Sequence, residues 1–229
     1  GAGMIVLHHC VSARSFRPLW MLEELGLPYR LEMLPFPPRF AQRSYLEINP
    51  LGTVPLMVDG ATRMTESAAI CQYLAERAAP TPLRVGADEA DFGPYLNWLH
   101  FGEATLTFPQ TLVLRYTRFE PPERRLPTVA QDYTRWFLAR LRALEPVLAA
   151  SDHLCAGRFT AADVSVGYAL LAGQHLGLVE AFTPHVRQYW ERLQHRAAYQ
   201  RALQVQHDEA ARQGVSPTPA PDLWFEEAS

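Results

Sequence analysis

The feature that most constrains this chain is a change of periodicity across Ala78-Ala79-Pro80-Thr81-Pro82-Leu83-Arg84-Val85-Gly86-Ala87-Asp88. Before this Pro-rich stretch, strand-like and helix-like patterns alternate. Met4 to Leu7 is a short apolar run, as in a buried strand. Ser15 to Leu25 carries Phe16, Leu19, Trp20 and Leu22 at helical spacing and stops at Gly26 and Pro28. Tyr29 to Met33 then alternates with period two, which completes a βαβ unit, right-handed by the usual rule. After a Pro-rich bend at Leu34 to Pro38 and a short helical piece near Ala41 to Leu46, Asp59-Gly60 separates Pro55–Val58 from Thr62–Thr65, a strong hairpin signal. Ser67, Ile70, Cys71 and Leu74 open a helix that runs to about Arg77.

After the stretch, every periodic segment is helical. The patterns cover Glu89 to Arg115, with a kink expected at Pro109, then Val129 to Leu148, then three shorter helices from Ala161 to Arg212. The expected organisation is an α/β domain over residues 1–80, a linker over 78–88 and an all-α domain over 89–229. The tail from Ser216 reads as irregular.

A chain of 229 residues can bury a core without disulfide or metal staples. A net charge of −3 with 20% charged residues, and no long run of one sign, gives no sign of a nucleic-acid or membrane surface, so neither partner is expected. No stretch is apolar over about 18 residues, so no membrane span is expected. The start at Met4 is preceded by Gly1-Ala2-Gly3, which reads as an artificial addition, and the apolar run that follows breaks too soon for a signal peptide. Cys10, Cys71 and Cys155 are odd in number, with neither a CxxC nor a metal-ligand spacing; free thiols and a cytoplasmic location are the expectation. His8 and His9 are adjacent on a strand and point to opposite faces, so they share no metal. None of the 21 basic residues is Lys, so any ligand carboxylate must be met by Arg, His, a hydroxyl or backbone amides.

Two motifs carry chemistry. In Asn49-Pro50-Leu51-Gly52-Thr53-Val54-Pro55, a proline enters the hairpin directly after Val54. At Glu66-Ser67, Ser67 opens a helix, so its hydroxyl, the first-turn amides and the helix dipole can hold an α-carboxylate, while Glu66 can accept an α-ammonium. Together they form a receptor for an amino-acid head group. The bland readings are a turn proline and a helix cap.

The order of elements, with Val54-Pro55 upstream of Glu66-Ser67, resembles the thioredoxin-type domain of glutathione transferases, and His8-His9 to Gly26 is similar to bacterial members. The resemblance implies a thioredoxin-like α/β N-terminal domain followed by an all-α helical domain. It implies glutathione as cosubstrate, a small hydrophobic electrophile as partner, detoxification as the role, a homodimer and no metal. It implies that the peptide before Pro55 is cis, that Val54 pairs with the cysteinyl backbone of glutathione, and that Glu66 and Ser67 hold its γ-glutamyl end. The family often meets the glycyl carboxylate with a lysine near Thr53; here Arg39, Gln42 and Thr53 are the substitutes, and Arg39 can do so bidentately.

The thiol-activating group is expected in the loop Cys10-Val11-Ser12-Ala13-Arg14-Ser15. Ala13 replaces the first hydroxyl of the bacterial Ser-Arg-Ser pattern, which leaves Ser12, favoured slightly, or Ser15, with Arg14 holding the thiolate or facing water. Ser15 also reads as a helix N-cap, and Cys10 as a small core residue or a partner in a mixed disulfide. Trp98, Phe101 and Thr105, with Trp224 and Phe225, are candidates for the acceptor wall. Phe159-Thr160-Ala161-Ala162-Asp163-Val164 reads as a capping box with a staple, which supports the fold and no chemistry. The leading expectation is a transferase. Alternatives are glutathione-dependent peroxidase or disulfide-reductase chemistry at the same site, and a non-catalytic binding or regulatory protein on the same scaffold.

Overall fold

A computed structural model describes residues 3–224. Phe225, the second aromatic of the expected acceptor wall, lies outside them, as do Gly1 and Ala2. The first part consists of β1 (Ile5–His9), α1 (Phe16–Leu25), β2 (Tyr29–Met33), α2 (Pro38–Ala41), α3 (Tyr45–Ile48), β3 (Leu56–Asp59), β4 (Thr62–Met64) and α4 (Ser67–Arg77). The four strands form one sheet in the order β2-β1-β3-β4. β1 runs parallel to β2, with Leu7 opposite Leu31. It runs antiparallel to β3, with Leu7 opposite Met57, and β3 pairs antiparallel with β4. This is the thioredoxin-like arrangement, and an all-α region follows it.

That region comprises α5 (Phe92–Phe101), α6 (Phe108–Leu114), α7 (Pro127–Arg140), α8 (Glu145–Ala150), α9 (Ala161–His175), α10 (Pro184–Gln194) and α11 (Ala197–Gln213). α9 is apolar almost all round, and the structure buries it from Ala161 to Leu171. It packs against α1, α4 and α5, and α11 packs against α1, so one core joins the sheet layer to the helices. α9 starts on the expected capping box: Thr160 Oγ1 accepts from the Ala162 amide, while the Thr160 amide donates to Asp163 Oδ2 at 2.9 Å. Asp163 also accepts from Tyr189 at 2.6 Å, which ties α9 to α10.

Four expectations about the elements need correction. The piece near Ala41 to Leu46 is two single turns, α2 and α3, with the break at Gln42–Ser44. The helix expected over Glu89 to Arg115 starts at Phe92, a wide π-type turn over Gly102–Thr107 interrupts it instead of a simple kink at Pro109, and a second such turn over Arg115–Phe119 carries it past its expected end. Pro109 has no amide to donate and sits in the first turn of α6, and the Thr107 hydroxyl donates to the Gly102 carbonyl at 2.7 Å within the wide turn. The helix expected over Val129 to Leu148 breaks at Leu141–Ala143. Ser15 is not a side-chain cap: its backbone is already helical and its hydroxyl turns back into the core.

Gly102 marks the tightest helix crossing. A Cβ there would lie 2.4 Å from Ser165 Oγ and 2.6 Å from the Ser165 carbonyl carbon and oxygen, so only glycine lets this turn meet α9 so closely. Among the described residues, no helix is long and apolar enough to cross a membrane.

Candidate functional site

A cavity of about 720 Å³ lies between the loop after β1, the α2 region and the helices α6 and α9. Of the residues singled out from the sequence, Ser12, Arg14, Arg39, Thr53, Val54 and Trp224 line it. Phe36, Phe40, Leu114, Phe119, Leu176 and Leu223 make most of the wall apolar, and Arg115, Arg118 and His175 add polar edges. The tail closes one side. Leu223 donates its amide to the Arg118 carbonyl at 3.0 Å, Arg125 pairs with Asp222 at 2.8 Å, and the Trp224 indole donates to the Phe119 carbonyl at 2.8 Å.

Trp98, Phe101 and Thr105 do not belong to this wall. Trp98 and Phe101 stack edge to face at 5.0 Å, and Phe101 and Thr105 border a separate shallow groove with Gly93, Leu96 and His100. Helical spacing placed them on one face but left open which cavity that face meets. Neither Ser15, Gln42, Glu66 nor Ser67 lines the main cavity.

The Asn49–Pro55 segment is built around one side chain. Asn49 is buried; its Nδ2 donates to the Thr53 carbonyl at 2.9 Å, and its Oδ1 accepts from the Leu51 amide. Tyr45 donates its hydroxyl to the same Thr53 carbonyl at 2.8 Å. Gly52 sits at φ +64°, and a Cβ there would meet Arg39 Cβ at 2.6 Å, so glycine is required both by the turn and by its approach to α2. The Val54-Pro55 peptide is cis. Val54 precedes the β1–β3 ladder, whose register begins at Leu56 opposite His8, and lies beside a small apolar cluster of Cys10, Leu34 and Tyr45.

Ser67 opens α4 and is buried, with exposed Glu66 just before it. The Ser67 hydroxyl accepts from Arg17 Nη1 at 3.1 Å. Arg17 is fully buried: it also donates to Glu103 at 2.6 Å, to Thr107 at 2.9 Å and to the Ser165 carbonyl at 3.0 Å, with its guanidinium 4.6 Å from the centre of the Tyr168 ring. Arg14 meets the same carboxylate at 2.8 Å and Thr111 at 2.7 Å. Burial raises the Glu103 carboxyl, but Arg17 and Arg14 outweigh it and hold the group below its ordinary value. Two guanidiniums against one carboxylate leave a residual positive charge behind Ser67, which favours an anion at the start of α4. Arg14, engaged by Glu103 and Thr111, contributes to that charge from the cavity wall.

The loop after β1 is held just as tightly. Ser12 has a left-handed backbone, φ +53°, unusual for a residue other than glycine. Its amide donates to Gln206 Oε1 at 2.9 Å, its carbonyl accepts from the Tyr168 hydroxyl at 3.0 Å, and its Oγ lies 2.9 Å from Gln206 Nε2. Gln206 Oε1 is also 2.8 Å from His9 Nε2, and His9 Nδ1 is 2.6 Å from Ser15 Oγ. Ser15 is wholly inside this network, where it also accepts from the Cys10 amide at 3.3 Å. It supports the loop from within and has no access to the cavity. Burial pushes the His9 imidazole down to about 4, so it is neutral, and pushes the Cys10 thiol up to about 12, so it stays protonated. A buried, protonated Cys10 is a poor partner for a mixed disulfide. His8 sits on the other face of β1, 5.6 Å from the Tyr45 ring. Among the described residues, no group of three or more His, Cys, Asp or Glu is placed to hold a metal.

Sequence patterning missed Arg17, Glu103, Tyr168 and Gln206. The one available signal was polarity out of place: Arg17 among the apolar residues of α1, and Gln206 on the face that α11 buries through Ala202 and Ala210.

Residues 11–77 match the family model described as glutathione S-transferase, N-terminal domain. Glutathione S-transferase 3 of Schizosaccharomyces pombe is 26% identical, over 96% of this chain and 98% of that protein. Elongation factor 1-gamma of Prunus avium is 28% identical over 77% of this chain, a match that spans 41% of that protein. A solved glutathione transferase from Methylococcus capsulatus superposes with a TM-score of 0.78 at 25% identity, covering 89% of this chain and 99% of that one.

Proposed function

We propose that this chain, whose residues 11–77 match the glutathione S-transferase N-terminal domain, activates the thiol of glutathione and directs it at a small hydrophobic electrophile held in the main cavity. The observation that carries this reading is the position of Ser12: the residue lines that cavity together with Thr53 and Val54, on a loop tied to two helices. Glutathione extends along Val54, its γ-glutamyl end meets Glu66 and Ser67 at the start of α4, and Arg39, with Thr53 and Gln42, faces its glycyl carboxylate. Arg39 is exposed at the rim, with its guanidinium 4.8 Å from the centre of the Phe40 ring, so it is free to swing onto a carboxylate.

A thiol with a pKa near 8.5 is only a few per cent ionised at pH 7, and lowering that value by about two units requires about 2.7 kcal/mol. One hydrogen bond to a charged group supplies about 1.5 to 3 kcal/mol, so a single hydroxyl proton donated to the sulfur suffices. The thiolate then attacks the electrophilic atom; its lone pair forms the new C–S bond as the displaced pair leaves with the leaving group. The protein's part is thiolate stabilisation and proximity in an apolar cavity. The same reading carries a cytoplasmic homodimer that clears reactive electrophiles.

Retention on immobilised glutathione, followed by conjugation and hydroperoxide assays, tests it. Conjugation is expected, and Ser12→Ala lowers kcat about 10- to 100-fold at pH 7 while glutathione affinity stays within a few-fold. Ser67→Ala acts chiefly on glutathione affinity. Binding without turnover moves the protein to a non-catalytic role, and wild-type turnover in Ser12→Ala removes Ser12 as the activating group.

A further inference from the structure

The hydrogen bonds around Ser12 fix the direction of every proton in the network, starting from a donor that cannot be reversed. The Ser12 backbone amide can only donate, so the atom of Gln206 facing it at 2.9 Å is the side-chain oxygen. The same oxygen lies 2.8 Å from His9 Nε2, which must then carry the imidazole proton. His9 Nδ1 is left as an acceptor, so Ser15, 2.6 Å away, donates its hydroxyl proton to it, and the Ser15 oxygen accepts from the Cys10 amide. With the oxygen of Gln206 assigned, its nitrogen faces Ser12 Oγ at 2.9 Å and donates to it. Ser12 therefore accepts from inside the protein, and its own proton is left to be given on the cavity side.

We infer that Gln206, on the last helix, is a positioning residue that turns the Ser12 hydroxyl proton toward the substrate thiol. The inference rests on the reading of Ser12 as the thiol-activating group. Gln206 touches no substrate; it acts by filling the acceptor side of Ser12 and by holding the Ser12 amide in its left-handed conformation. Without it, the hydroxyl is free to rotate inward and spend its proton on the protein. Gln206 is fully buried, and the groups facing this network are His9 from β1, Tyr168 from α9, and the Arg14–Glu103 pair across the loop. Replacing Gln206 changes none of their charges.

The test reads the apparent pKa of the enzyme-bound glutathione thiol, from thiolate ultraviolet absorbance as the pH is raised, beside the affinity for glutathione. Ser12→Ala is expected to raise that pKa by about one unit or more. Gln206→Met is expected to raise it by a similar amount with affinity within a few-fold, and the double variant to add nothing further. If Ser12→Ala raises the pKa and Gln206→Met leaves it at the wild-type value, the positioning role is overturned and the Ser12 reading stands. If the two shifts add in the double variant, Gln206 acts by another route and the inference is likewise overturned. An unshifted pKa in Ser12→Ala sinks the Ser12 reading itself. Should Gln206→Met fail to fold, Gln206→Asn keeps an amide in the core but one methylene short of Ser12; the same upward shift is expected, and its absence overturns the inference.

Discussion

Replacing Arg17 by Met tests the network behind Ser67 at its centre. Arg17 is fully buried and donates to Ser67, Glu103, Thr107 and the Ser165 carbonyl. Met restores most of the apolar volume but none of the donors. Removing one partner of a buried ion pair costs about 3 to 5 kcal/mol. Here the stranded carboxylate keeps Arg14 at 2.8 Å and its side chain is 32% exposed, so solvent and the second guanidinium recover part of the loss. The expected cost is about 2 to 4 kcal/mol, a large share of the usual 5 to 15 kcal/mol of a folded protein. Glu103→Gln should cost more, because it strips the countercharge from two guanidiniums, one with no exposure at all. Urea unfolding at one fixed protein concentration, with midpoint and slope both fitted, measures the two variants. A loss below about 1 kcal/mol for Arg17→Met, or a milder effect for Glu103→Gln, would refute the claim that a single carboxylate serves two cations.

Two further outcomes follow from the geometry. His9 titrates at about 4 in the folded protein against 6.5 unfolded, so below pH 6.5 the unfolded chain takes up a proton that the folded one refuses. Stability contributed by the neutral imidazole is complete above about pH 6.5 and is lost as the pH falls toward 4, by about 3 kcal/mol at about 1.4 kcal/mol per unit. His9→Asn should flatten that acid limb in a series of unfolding curves, and an unchanged slope would contradict it. Gly102→Ala, which in an open helix would gain about 1 kcal/mol, should instead lose about 1 to 3 kcal/mol because its Cβ meets the Ser165 backbone; a raised melting temperature in scanning calorimetry would dismiss the crossing argument.

The α/β order, the hairpin at Asp59-Gly60, α4 from Ser67 to Arg77 and the box at Thr160–Asp163 were all legible in the sequence, because each rests on local periodicity or on residues a few positions apart. The wide turns at Gly102–Thr107 were not, since Pro109 announces an interruption but not the shape that relieves it. In the site, Asn49 to Val54 was legible as a compact motif. Ser15 was misread as a cap because its position before a helix looks the same whether the hydroxyl turns toward the helix or toward His9. Arg17 and Gln206 stood out only as polar residues on apolar faces, and their roles stayed hidden because their partners lie across the fold, Arg17 reaching Ser165 and Gln206 reaching Ser12. Spacing along a chain carries no record of such meetings.

The clamp on Ser12 has a consequence for synthesis. As the chain leaves the ribosome, the loop with Ser12 emerges ahead of Val54, Glu66 and Ser67. Gln206 follows them, and until α11 docks against α1 the left-handed Ser12 has neither its amide partner nor the donor to its hydroxyl. On the reading of Ser12 as the thiol-activating group, a nascent chain that has completed its sheet carries the residues meant for glutathione before it carries the partner that orients the Ser12 proton.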